Sequence, residues 1–501
     1  MAATTDRDLR RLAFGTLFPG FEGVHAPPWL LELADEGLRG VVLFERNVSP
    51  ADPDGGVAAL TARLREVCPD VLVAVDEEGG DVTRLDHRRG SDVPGSAALG
   101  VVDDPALTRR VGAHLGARLH AAGVTLNLAP VADVDADPRN PIIGIRSFGS
   151  SPERVARHVA AFVEGQQQHR VAATVKHFPG HGATTEDSHY TVPWVSASRE
   201  VLDARELVPF RAAVAAGTQV VMTAHVRYPA LDERPATLSQ PIVTDLLRRE
   251  LGFAGVVMSD GLDMHAISRT VGQAEGAVQA LAAGVDALCI GGDSTGPEIV
   301  ELLVGAITGA VTSGRLSVDR LWDASARVDA LAAWCRGGDA TPLEDVGATF
   351  PDDAPGREAA RRAVGAHGVT PLTAPALVLE CHDEPGMAAG DVPWAIGAAL
   401  SARMPGTVVV RLSSDEADPR PSLARDPDRP VVVSVRGLRR RPWQRDVLAA
   451  VRALRPDVVV VEHDLPGDPG LLGAHYLLTY SGSRVSAEVA ADLLAGVPVD
   501  R

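Results

Sequence analysis

The sequence predicts an α/β protein: an N-terminal (β/α)8 TIM-like barrel followed by a smaller α/β sandwich domain. Two observations carry this. Short β-branched runs alternate with amphipathic helical stretches over the first 335 residues or so, about as many pairs as such a barrel needs. Polar residues then gather where those runs end: Asp76 after the third, Lys176 and His177 at the fifth, His225 after the sixth and Asp260 after the seventh. Barrel enzymes keep their chemistry on the loops at the strand C-termini, and a chance scatter of charge would not concentrate there.

In chain order the expected strands are residues 16–18, 40–44, 71–76, 125–128, 173–177, 220–224, 255–259 and 287–290. Helical stretches such as 152–168, 198–216 and 272–283 separate them. No Gly-x-Gly-x-x-Gly follows the first strand, which argues against a dinucleotide-binding sheet. Residues 337–355, rich in Gly, Asp, Pro and Thr, read as a linker, and a helix at 356–364 leads onward. Near-continuous apolar runs at 376–379, 408–412, 431–435, 458–462 and 476–479 predict strands buried on both faces. The expected division is therefore a barrel over 1–336, a linker and connecting helix over 337–372, and a C-terminal α/β domain over 373–501.

The net charge is −18, and no basic stripe with interleaved aromatics occurs, so nucleic acid is not an expected partner. No apolar run is long enough to span a bilayer, and the N-terminus does not read as a signal peptide, so neither a membrane nor export is expected. Four widely spaced cysteines fit buried thiols in a reducing cytoplasm.

Lysine occurs once, at position 176, against 47 arginines. A compact ammonium and a planar guanidinium are not equivalent where fit is tight, so this exception points to a pocket arginine does not enter. Around it stand His177, Gly180, His181 and Gly182, then Asp187-Ser188-His189. A histidine beside a carboxylate makes a general acid/base, and the glycines let its loop move. The bland alternative is a turn stabilised by Asp187 and Ser188. A zinc site on His177, His181, Asp187 and His189 is disfavoured, because the first strand lacks the His-x-His pair expected of metallohydrolases on this barrel. No metal or cofactor is expected. Asp260, directly after an apolar strand, fits a nucleophile, a metal ligand or a helix cap equally well when taken alone. Asp76, Arg84, Arg146 and Lys176 are residue types that clamp sugar hydroxyls.

Together several stretches resemble glycoside hydrolase family 3, in its β-N-acetylglucosaminidase branch of two-domain type. They are 76–80, 126–134, 140–149, Lys176 to Gly182, Asp187 to His189, 235–239 and 259–264, in the family's order. The resemblance implies Asp260 as nucleophile and His189 as acid/base polarised by Asp187. It implies Asp76, Arg84, Arg146, Lys176 and His177 as the pocket for a terminal N-acetylglucosamine. Glu77 departs from a glutamine frequent in the family, and Gly261 from an acidic or small residue. The implied activity is a retaining exo-β-N-acetylglucosaminidase acting on peptidoglycan fragments or chito-oligosaccharides. A phosphorylase of the same sugar is the nearest alternative, and a non-catalytic sugar-binding protein the alternative of another class. The acid/base loop belongs to the barrel, so the resemblance does not require the second domain to reach the site.

Overall fold

The structure is a computed structural model, described for residues 5–188, 190–292, 294–337, 354–383, 386 and 388–498. By contacts the chain resolves into two units. One comprises 1–77, 108–143 and 150–346; the other comprises 78–107, 144–149 and 347–501.

Among the described residues the first unit is built on eight parallel strands: β1 (Leu17–Pro19), β2 (Gly40–Leu43), β3 (Leu72–Val75), β4 (Leu126–Asn127), β5 (Ala172–Phe178), β6 (Val220–Thr223), β7 (Val256–Ser259) and β8 (Leu288–Ile290). A ladder runs from β2 to β7 in chain order. A bridge between Met258 and Ala287 carries it to β8, which pairs with β1. All eight strands lie where the sequence places them, and the sheet is curled and TIM-like. Its concave side is filled by alternate residues of successive strands, among them Phe18, Val42, Ala74, Leu126, Ala172, Met222, Met258 and Cys289. This is the period-two register of a strand. Val328, Leu331 and Ala332 of the helix Val318–Arg336 join the same core. Burying one such side chain contributes about 1.5–3 kcal/mol.

Two details differ from expectation. The helix expected over 198–216 is interrupted at Arg205, whose backbone leaves the helical region (φ −124°, ψ −72°), giving Arg199–Ala204 and Leu207–Ala215. A short antiparallel arm, Arg227–Tyr228 with Asp232–Pro235, follows β6; two- and four-residue strands leave too little alternation to read.

The second unit holds a sheet of β9 (Gly365–His367), β10 (Leu377–Cys381), β11 (Val408–Leu412), β12 (Val431–Val435), β13 (Val459–Glu462) and β14 (Tyr476–Leu478), ordered β9-β14-β13-β12-β10-β11. All neighbours are parallel except β9, an antiparallel edge strand absent from the sequence reading. Leu377, Leu379, Val431 and Val433 enter one apolar cluster, and Val378, Val432 and Val461 enter another. Both faces are therefore covered along β10, β12 and β13, which explains their unbroken apolar runs; β11 departs from the expectation, because as the other edge strand it leaves Val408 and Val409 exposed. Helix Pro442–Leu454 covers one side through Val447 and Val451; helix Arg484–Leu494 covers the other through Ala490 and Leu494.

Segment 78–107 packs within this unit. Gly95 N donates to Ser481 Oγ (3.1 Å), Val485 N donates to Ser91 O (3.2 Å), and Asp81 is paired with Arg436. The expected linker falls mostly at 338–353, outside the described residues; the helix after it runs Pro355–Ala363. Among the described residues no helix is long and apolar enough to cross a membrane.

Candidate active site

The site is built at the C-terminal ends of β3 to β8. Lys176 and His177 stand near the end of β5, where the register against β6 slips between Val175 and Phe178. Such irregularities break simple alternation and re-aim side chains. Lys176 Nζ donates to Asp76 Oδ1 at 2.7 Å, and the lysine is buried. The one lysine of the chain is thus enclosed beside the carboxylate that follows β3, a geometry suited to a point charge rather than a fork.

His177 is held by Asp133. Its Nδ1 donates to Asp133 Oδ2 at 2.7 Å, and its backbone N–H to Oδ1 at 3.3 Å. His181 N also donates to Oδ1, at 2.6 Å. Asp133 is fully buried. Burial alone would raise its pKa, but the charge and hydrogen bond of His177 outweigh it and hold the carboxyl below its usual range. An ionised carboxylate only accepts, so His177 Nδ1 carries a proton and the tautomer is set.

His181 sits edge-on to His177, with ring centroids 5.9 Å apart. Its Nδ1 meets Thr184 Oγ1 at 2.9 Å and its Nε2 meets Ser188 Oγ at 3.0 Å. The middle residue of Asp187-Ser188-His189 is therefore tied to the turn that begins at β5. Asn140 braces the same turn by donating to His181 O (2.9 Å). Gly182 has a steric reason: a Cβ there would lie 1.7 Å from Val134 O. Asp187 is half-buried, and its carbonyl accepts from Tyr190 N (3.1 Å) and Thr191 N (3.0 Å). His189 lies outside the described residues.

Burial, then repulsion from His177, lowers His181 to about 4. The folded state thus refuses a proton that the unfolded chain accepts near 6.5, so stability is complete above that value and declines as pH falls towards 4. A shift of this size is worth on the order of 3 kcal/mol. Urea denaturation across that window is expected to show the decline, with a shallower one in His181→Gln; parallel slopes would refute the assignment.

Asp260 follows β7 and is half-buried; its Oδ1 accepts from Gly261 N at 2.8 Å. His225, after β6, braces the turn. Its Nε2 donates to Gly261 O at 2.9 Å while its Nδ1 meets Thr237 Oγ1 at 2.8 Å. The thiol of Cys289 on β8 reports how these groups converge. Burial raises its pKa well above the ordinary value, Asp260, Asp263 and Asp76 add to the rise, and Lys176 opposes it. All four charges lie within electrostatic reach of one sulfur atom. His181 in turn feels the charge of Asp260.

Arg84 and Arg146 belong to the second unit. Arg84 Nη2 donates to Ala388 O at 2.8 Å. Arg146 makes a forked pair with Glu78, at 3.0 and 2.7 Å. The structure therefore gathers Asp76, Lys176, His177 and Asp260 in the first unit, with Asp187 on the tethered loop. Asp133 and Asn140 were not singled out as site residues from the sequence, and His225 was placed at a strand end without a role. Asp133 stands 44 positions before His177, and nothing local signals their contact.

Comparison with known proteins fits this arrangement. Residues 31–331 match the glycosyl hydrolase family 3 N-terminal domain, and the chain belongs to that family of glycoside hydrolases. A beta-hexosaminidase of Stenotrophomonas maltophilia (strain K279a) is 37% identical over 328 residues, covering 63% of this chain and 94% of its own. Beta-hexosaminidase A of Pseudoalteromonas piscicida is 34% identical over 283 residues; the match covers 52% of this chain and only 47% of that protein. The solved structure of a glycoside hydrolase family 3 beta-N-acetylglucosaminidase from Paenibacillus sp. str. FPU-7 is similar over 98% of this chain and 97% of its own, with TM-score 0.87 and 32% identity.

Proposed function

We propose that this chain is a retaining exo-β-N-acetylglucosaminidase, with peptidoglycan fragments ending in N-acetylglucosamine as its substrate class. The observation that supports it best is the Lys176–Asp76 pair at 2.7 Å together with Asp260, all at strand C-termini and all acting electrostatically on the Cys289 thiol. Asp260 attacks the anomeric carbon, the bond to the leaving oxygen breaks, and a glycosyl-enzyme forms. His189, in the role given by the family resemblance, protonates that oxygen and then takes a proton from the attacking water. Asp187 polarises it. Asp76 and Lys176, joined at 2.7 Å, form a charge-paired clamp for adjacent hydroxyls of the sugar. His177, its tautomer set by Asp133, offers its other ring nitrogen to the same sugar.

The test is turnover of nitrophenyl N-acetyl-β-glucosaminide against nitrophenyl β-glucoside, each with and without phosphate. Hydrolysis of the first, faster than the second and indifferent to phosphate, with retained anomeric configuration, is the expected result. Phosphate acceleration with release of sugar 1-phosphate would identify a phosphorylase instead. Sugar binding without turnover of any aryl glycoside would identify a binding protein.

A further inference from the structure

At the opposite, N-terminal end of the strands the first unit contains a cavity of about 300 Å³. Its lining includes Arg65, Arg170, Arg336, His120, Asp70 and Cys335. Arg336 is paired with Asp70. Arg65, on the helix Pro53–Val67, is half-buried and donates to Gly123 O. Arg170, half-buried at a positive φ of 57°, lies with its guanidinium 5.3 Å over the Trp334 ring. Among the described residues neither Arg65 nor Arg170 has a carboxylate partner.

The two cations converge. Arg65, Arg170 and Cys335 line the same cavity, and the thiol feels both charges: burial pushes it up to about 12, while Arg170 and Arg65 pull the other way. Burial also lowers the pKa of Arg65, with only that thiol opposing. A desolvated guanidinium without a counter-ion is an unfavourable arrangement that an anion relieves. In a chain of net charge −18, a concavity with more cations than carboxylates is a local reversal of sign. Guanidinium forks match the oxygens of phosphate, and the volume falls at the lower bound for small-molecule pockets.

We propose that this cavity is a binding site for a small phosphate-bearing anion, either free phosphate or a phosphate monoester, held by Arg65 and Arg170. It lies on the face that carries stability rather than chemistry in barrels, so it binds and does not catalyse. It is independent of the sugar reading.

The experiment is isothermal titration of the full chain with inorganic phosphate and, separately, glucose 6-phosphate, repeated on Arg65→Gln and Arg170→Gln. At least one probe is expected to bind, and each substitution to weaken it roughly tenfold or more. Circular dichroism is expected to stay unchanged, and saturating N-acetylglucosamine to leave the affinity unchanged. Tighter binding of the ester identifies an organic phosphate as the source; equal or tighter binding of phosphate identifies the free ion. No binding at millimolar concentration overturns the proposal. So does equal binding by the variants, or displacement by N-acetylglucosamine, which would place the anion at the catalytic end.

Discussion

Asp260→Ala is expected to lower kcat by three orders of magnitude or more, about 4 kcal/mol of lost transition-state stabilisation. The same change is expected to leave stability within about 0.5 kcal/mol of the parent. The two halves have separate physical grounds. The carboxylate is the group proposed to form the new bond to carbon, and nothing else in the cluster replaces it. Lys176 is engaged with Asp76, and Asp263 stands three residues further along a different part of the turn. In the fold, however, Asp260 is half-buried, and it accepts a hydrogen bond from its own neighbour, Gly261 N. His225 continues to hold that turn through Gly261 O. Kinetics on an aryl N-acetylglucosaminide, beside a urea titration, check both halves. Near-normal turnover would remove Asp260 as nucleophile, and a collapse in stability would make it structural.

Asp133→Asn is expected to act the other way round, through the fold first. One buried carboxylate accepts from His177 Nδ1, His177 N and His181 N. An amide keeps a single acceptor oxygen and turns an NH2 towards a donor. Removing one partner of such a buried, charged arrangement costs about 3–5 kcal/mol. His177 also loses the group that fixes its tautomer, so kcat/KM is expected to fall in the protein that remains folded. Because Asp133 has a lowered pKa when folded, its contribution is present above the ordinary carboxylate range and fades as acid protonates it. The variant should therefore lose part of the parent's acid sensitivity. A stability change under about 1 kcal/mol would show that Asp133 is not the hub the geometry makes it.

The contrast between these residues shows what a sequence exposes. Asp260, Asp76 and Lys176 stand at the ends of apolar runs, and a strand's end is a local signal. The eight strands were legible for the same reason. Asp133 occupies an irregular stretch after β4, and its importance arises from a partner reached only when β4 and β5 lie side by side. His225 and Thr237 meet through the short arm after β6, which carries too few residues for any period to appear. The grouping of 78–107 with the C-terminal part is likewise a long-range fact. Val485 N and Ser91 O, or Gly95 N and Ser481 Oγ, meet across nearly four hundred residues.

That last grouping has a consequence for biosynthesis. A ribosome releases residues 78–107 early, yet their packing partners beyond 354 emerge more than two hundred residues later. Until then the nascent polypeptide carries this excursion with its neighbours at 144–149 but without those later partners, exposed to proteases and chaperones. A gene shortened at the linker would leave it without those later partners. Production of the N-terminal half by itself is therefore a poor route to a small, soluble version of this protein.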